Sequence, residues 1–243
     1  MSARRTAAVA AALRWGAHRF PFEEDEVAGL RAFVPPGAVC VDVGAEYGLY
    51  TWVLSALAGP SGRVHCVEPL PGPHRWLRAA AGLLGARNVT VHRAALAARH
   101  GQGTLSLPIR RGLPVHGRAY LTDGADGPGP NAEFAAARAV GAPVRTLDDL
   151  VHEAGLDRLT FVKADVEGAE LAVLEGGSAA LRRHRPTLLL EIEHRHLAKY
   201  GARPADVLGH LRDLGYRAHR QRHGRWIPVP RVTDDCRNYL FTA

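Results

Sequence analysis

A chain of 243 residues, 47% hydrophobic and 23% charged, has the length and balance of one α/β domain with a single sizeable core. No apolar run approaches the roughly 20 residues of a membrane span, and Cys40, Cys66 and Cys236, odd in number and widely spaced, argue against a disulfide framework or a cysteine zinc site and fit a reducing cytoplasm. The net charge of +7 comes from scattered arginines with modest clusters at 182–185 and 217–225, and without a basic stripe interleaved with aromatics it predicts no nucleic-acid partner.

Residues 1–36 read as a helical cap, broken at Pro21 and closed by Pro35, Pro36 and Gly37. Arg4 and Arg5 before the short apolar stretch Thr6 to Leu13 faintly resemble a signal peptide. Arg14 and Arg19 follow at once, so an amphipathic helix is the better reading. From 37 to 243 one domain is expected. Val39 to Val43 reads as a buried parallel strand with Asp42 near its end and a turn bounded by Gly44 and Gly48. A helix runs from about Tyr47 to Leu57. Gly59 to Gly62 turns into a second strand, Val64 to Val67, which ends in Glu68. The next helix is Pro71 to Leu84, with Gly85 past its end, and Val89 to His92 is the third strand.

Between about 100 and 142 the pattern changes. Gly101 to Leu107 alternates like a strand, and then Pro108, Pro114, Gly117 and the Gly/Pro run from Asp123 to Pro130 predict a long loop, read as facing the substrate. Thr146 is an expected helix N-cap. Leu159 to Ala164 and Thr187 to Ile192 are strands four and five, with a helix from Gly168 to Leu181 between them. Pro204 to Leu214 is the last helix. Tyr216 to Arg220, Trp226 to Val229 and Tyr239 to Thr242 are closing strands that include an antiparallel hairpin.

Ligands bind a doubly wound sheet in the crevice at the carboxyl ends of its strands. Here two consecutive strand ends carry nucleoside chemistry. Gly44 and Gly48 let a ligand approach the backbone, and Glu68 can accept both hydroxyls of a ribose. The turn is not the diphosphate fingerprint Gly-x-Gly-x-x-Gly, and Asp42 would repel a diphosphate, which disfavours a nicotinamide oxidoreductase. A carboxylate suits a cation, such as the amino group or sulfonium of S-adenosylmethionine. On strand four, Lys163, Asp165 and Glu167 alternate onto one side. Strand five brings Glu191, Glu193 and His194 to the same edge, which makes a site for proton transfer. Asp165, Glu191 and His194 are candidate bases, and His194 is the natural one because imidazole titrates near pH 6.5. Lys163 with Glu191 reads equally as a buried pair ordering two strands, His194 as a helix cap, and Glu170 as a helix-face residue. Asp165, Glu191, Glu193 and His194 offer hard ligands to Mg²⁺, but their spacing is not distinctive and no metal site is assigned.

Five stretches taken together (Val41 to Thr51, Val67 to Pro69, Thr146 to Leu150, Val162 to Leu171 and Leu189 to Glu191) resemble the FkbM family of S-adenosylmethionine-dependent methyltransferases. The resemblance covers roughly residues 25 to 217, and Lys163-x-Asp165-x-Glu167-Gly168-x-Glu170 is its most diagnostic pattern. It implies a class I, Rossmann-like methyltransferase fold: a seven-stranded, mostly parallel sheet with an antiparallel last strand and helices on both faces. It also implies O-methylation, often in natural-product or glycan tailoring. Glu46 stands where the family usually has Asn, and Ala164 where it usually has a β-branched residue. In this reading Asp42, Gly44, Gly48 and Thr51 hold the methionine end, with Glu46 and Tyr50 beside them. Glu68 takes the ribose, and Ala94 and Ala95 lie near the adenine. Asp165 faces both cofactor and acceptor, and Lys163, Asp165, Glu191 and His194 form the catalytic set. The expected partner is a small-molecule or peptide methyl acceptor, offering a hydroxyl or a carboxylate, with no nucleic acid and no membrane. A nucleic-acid methyltransferase and a non-catalytic S-adenosylmethionine-binding module are the rival readings.

Overall fold

Apolar runs without alternation become the central strands, because both faces of a parallel sheet are covered. The computed structural model describes residues 26–222 and 224–243, and only positions 6, 8 and 11 before them. The leader-like and amphipathic readings of the first 25 residues therefore lie largely outside the described residues. Among those described, no helix is long and apolar enough to cross a membrane.

The main sheet runs in the order β12 (Arg225–Pro228), β11 (Arg217–Arg222), β13 (Asn238–Thr242), β10 (Thr187–Glu191), β9 (Phe161–Ala164), β1 (Val39–Val43), β2 (Arg63–Val67), β3 (Val89–His92). β1, β2, β3, β9 and β10 are parallel, and β13 enters antiparallel between β10 and β11. The sheet has eight strands where the family resemblance implied seven. The addition is β12, which folds back on β11 alone. Strand order reverses between β1 and its two neighbours, so the crevice opens at the carboxyl ends of β1 and β9. There the register sets Asp42 beside Cys66 on one side and Lys163 on the other.

Local signals explain the helix ends. Thr146 and Asp149 form a reciprocal capping box: the Asp149 N–H donates to Thr146 Oγ1 (2.9 Å) and the Thr146 N–H to Asp149 Oδ2 (3.3 Å). Pro71–Leu84 ends at Gly85 in the left-handed conformation. The helix expected from Gly168 to Leu181 is two helices, Glu170–Glu175 and Ser178–His184. It breaks at Gly176 and Gly177, where the chain after β3 passes so close that a side chain on Gly176 would strike the Ala97 carbonyl.

The segment expected as a long loop is a second sheet. It comprises β4 (Ala95–Leu96), β5 (Gly101–Arg110), β6 (Leu113–Pro114), β7 (Tyr120–Leu121) and β8 (Ala136–Arg145). β5 and β8 pair antiparallel from Gly101 opposite Val144 to Ile109 opposite Ala136. β8 escaped sequence reading because its Ala, Gly and Pro residues alternate poorly. What fixes it is the partner strand, with Leu105, Leu107 and Ala142 packed together over Leu70. The Gly/Pro turn beyond β7 docks on the chain after β10: the Asp126 N–H donates to the Lys199 carbonyl (2.6 Å) and the Tyr200 hydroxyl to the Leu121 carbonyl (2.6 Å).

Candidate active site

A cavity of about 240 Å³ lies where the two sheets face each other, at the carboxyl ends of β1, β2, β9 and β10. One end of it rests on Glu68, which is buried directly after β2. The Glu46 N–H donates to Glu68 Oε2 (2.9 Å) and the Leu70 N–H to Oε1 (2.8 Å). Each oxygen keeps a second lone pair for a ligand hydroxyl. Burial pushes this carboxyl up to about 7, in spite of the two amides. Ala94 and Ala95 line the cavity, as expected for residues after the third strand, and Leu105, Tyr120 and Leu121 of the second sheet line it with them. Leu105 falls in the stretch read as an alternating strand, whereas Tyr120 and Leu121 fall in the segment read as a loop and are aimed by their pairing with β5.

Asp42 is fully buried, and Thr51 Oγ1 donates to it at 2.5 Å. Burial raises it to about 6, against the pull of Thr51 and Lys163. Thr51 thus acts through Asp42 rather than touching the cavity. Asp42, Gly44, Glu46, Tyr50, Lys163 and Asp165 line a smaller neighbouring cavity of about 150 Å³. Lys163 Nζ sits 4.9 Å from the centre of the Tyr50 ring.

Gly44 lines both cavities and is also demanded by chain packing, whereas Gly48 serves packing alone. Gly44 (φ +78°) has a backbone conformation that L side chains rarely adopt, and a Cβ there would strike the Asp165 carbonyl. Gly48 (φ +92°) faces Trp52 and Leu77 and does not line the cavity. Gly44→Ala is therefore expected to cost roughly 2–4 kcal/mol from backbone strain and overpacking, lowering Tm by roughly 5–15 °C. A variant melting with the wild type would show that β1 and β9 are not this close.

The opposite end gathers Asp165, Glu167 and Glu191, one oxygen from each lying within 4.8 Å of the others. Lys163 Nζ is 3.5 Å from Asp165. Burial alone would raise the Asp165 carboxyl, but Lys163 and a hydrogen bond from Glu191 hold it below the usual carboxylate range. Burial and the adjacent Asp165 charge drive Glu191 well up from the usual carboxylate range, so the two acids favour sharing a single proton. Lys163 therefore pairs first with Asp165, where the sequence suggested Glu191.

Glu167 is not on the strand. It stands in the turn after β9 with φ +58°, a conformation unusual for a non-glycine residue. His196 Nδ1 lies 2.5 Å from its Oε2, and Arg118 Nε and Lys199 Nζ each 3.9 Å away. Burial lowers Lys199 to about 8. His194 is exposed and does not line the cavity. The histidine that turns inward is His196, because the helix His194–Leu197 points its first residue to solvent. Glu193 does line the cavity, where Arg195 (2.6 Å) and Arg237 (3.6 Å) pair with it. Glu167 thus stands in the three-acid group where Glu193 and His194 were expected.

The profile of the Methyltransferase FkbM domain matches residues 42–218, which hold every cofactor and acid residue just described. The chain belongs to the FkbM methyltransferase family. The chain is 31% identical over 202 residues to the AMB antimetabolite synthetase AmbE of Pseudomonas aeruginosa, an alignment covering 73% of this chain and 9% of the synthetase. The chain thus spans under a tenth of that curated relative. The crystal structure of Methyltransferase FkbM from Methylobacillus flagellatus superposes with a TM-score of 0.55 at 19% identity, over 86% of this chain and 44% of that one. That likeness carries the class I fold. The methyl donor of FkbM methyltransferases is S-adenosylmethionine, and the site's chemistry fits it: Glu68 has open lone pairs, an apolar slot runs past Ala94 and Leu105, and the adjoining smaller cavity is lined by the carboxylates Asp42 and Asp165.

Proposed function

We propose that this FkbM domain is an O-methyltransferase whose acceptor is a hydroxyl of a small natural product, sugar or peptide. The observation that carries the reading is the cluster at the cleft: one oxygen each of Asp165, Glu167 and Glu191 within 4.8 Å of one another, with Lys163 Nζ 3.5 Å from Asp165. A hydroxyl must lose a proton as it is methylated, and the acid cluster can take it, whereas a carboxylate acceptor needs no base. S-adenosylmethionine supplies a methyl group on a sulfonium. Asp165 accepts the hydroxyl proton as the oxygen–carbon bond forms and the carbon–sulfur bond breaks, with S-adenosylhomocysteine as the other product. Glu191 keeps Asp165 ionised and oriented, and Lys163 fixes it from behind. Much of the rate comes from this alignment. An antimetabolite synthetase among the relatives supports a small-molecule product.

Methyl-labelled S-adenosylmethionine, offered with pools of alcohols, sugars, carboxylic acids and RNA, tests the reading. Label in alkali-stable ethers is expected, whereas alkali-labile esters or labelled RNA would overturn it. Transfer is also expected to persist in EDTA, because Lys163 and the shared proton already balance the acids. Activity lost to the chelator and restored by Mg²⁺ would turn Asp165, Glu167 and Glu191 into metal ligands.

A further inference from the structure

The acids of the acceptor half ride on an awkward piece of chain. Between β9 and the helix Glu170–Glu175, Glu167 (φ +58°) and Gly168 (φ +109°) are both in the positive-φ region. Such backbone persists only where its surroundings over-determine it. One surrounding is steric: a Cβ at Gly168 would strike the His196 carbonyl, so the turn is pressed against the chain after β10. The other is Glu170. It is 1% exposed, and its Oε1 accepts both the Val166 N–H (3.0 Å) and the Gly168 N–H (3.2 Å). Those two amides flank Glu167. Glu170 Oε2 is buried with no hydrogen-bond partner, so all of this side chain's bonding goes into the turn. A buried acid with so one-sided a set of bonds is costly to keep as packing alone.

We propose that Glu170 is a positioning residue for methyl transfer: its carboxylate locks the turn that carries Asp165 and Glu167 and thereby brings them into line with Glu191. The inference rests on the acceptor-side roles given above to Asp165 and Glu191. Glu68 works the same way across the cleft, one carboxylate gathering two amides from the loops after β1 and β2. The two halves of the site are thus each held by an acid that clamps backbone.

Amide hydrogen exchange and ¹³C carboxyl titrations of wild type, Glu170→Ala, Glu170→Gln and Glu170→Asp test this without knowledge of the acceptor. In the wild type the Val166 and Gly168 amides should be protected, and Asp165 and Glu191 should titrate in two separated steps. Glu170→Ala should release both amides and narrow the separation, while S-adenosylhomocysteine binds as before. Glu170→Gln keeps an oxygen at the Oε1 position and should restore both signatures. Glu170→Asp is too short to span the two amides and should behave like alanine, which keeps the test in hand where the alanine variant does not fold. Unchanged amides and titrations in Glu170→Asp or Glu170→Ala would reduce Glu170 to a buried helix residue and overturn the proposal. Loss of S-adenosylhomocysteine binding in the wild type would instead strike the methyltransferase reading itself. With an acceptor in hand, kcat should fall in Glu170→Ala by about 10²-fold with KM for the methyl donor unmoved, and recover in Glu170→Gln.

Discussion

Glu68→Ala is expected to weaken S-adenosylhomocysteine binding by about 10²–10⁴-fold. The figure follows from two ribose hydroxyls donating to one carboxylate, each such bond to a charged acceptor contributing roughly 1.5–3 kcal/mol. The substitution also strands the Glu46 and Leu70 amides that the carboxylate now gathers. Calorimetry showing unchanged affinity would remove Glu68 from the cofactor site. A pH signature accompanies the loss. Burial raises Glu68 to about 7 and Asp42 to about 6. The ligand-free fold therefore holds a stabilising contribution from the protonated acids at low pH, which is lost as pH rises through those values. The ligand prefers both groups ionised, as hydroxyl acceptor and as partner for a cation. Affinity should accordingly strengthen from about pH 5 to about pH 8, and Glu68→Gln should lose the part of the slope near 7. A flat wild-type profile would mean that neither acid meets the ligand.

Asp165→Asn is expected to cut kcat by about 10²–10⁴-fold while S-adenosylhomocysteine still binds. Asparagine keeps the shape and the contact with Glu191 but cannot take the acceptor's proton. His194→Ala, by contrast, should turn over like the wild type, because the side chain is exposed and away from the cavity. The wild-type kcat should be flat through the histidine range, since Glu191 holds its proton far above that range and Asp165 loses its own below it. A rate that climbs with pH near 6.5 and collapses in His194→Ala would restore histidine as the base. An active Asp165→Asn with a dead His194→Ala would reverse the assignment outright.

The difference between these two residues shows where sequence reading reached its end. Asp42, Glu68 and Asp165 were legible because each sits on or directly beyond a buried apolar strand, where alternation and register leave few places to point. His194 lies three residues past β10, where the chain turns into a helix and a shift of two positions exchanges solvent for core. That shift puts His196 against Glu167 instead. Glu167 itself was read as a strand residue and reached the cleft by another route, a left-handed turn that no period reveals. The strands of the main sheet were legible from their apolar runs, and Pro71–Leu84 matched its caps to the residue. The second sheet was hidden because β8 is held by β5 rather than by any pattern of its own. Arg118, Tyr120 and Lys199 stayed hidden with it, since the contacts that bring them together (Arg118 with Glu167, Lys199 with Glu167 and with the Tyr120 ring) join segments 30 or more positions apart in the chain.

That second sheet leaves the main architecture and returns to it at nearly one point. β4 pairs with the last two residues of β8, Ala95 opposite Val144 and Leu96 opposite Arg145, and β5 starts opposite the same Val144. The excursion is thus stapled shut at its base, and no strand of the Rossmann-like core has to shift its register for the excursion to grow, shrink or be replaced. Evolution and engineering are given a modular wall. The stretch between residues 97 and 143 nonetheless meets the core at the cleft, through Arg118 with Glu167 and Leu121 with Tyr200, so an exchange between homologues has to carry those contacts with it.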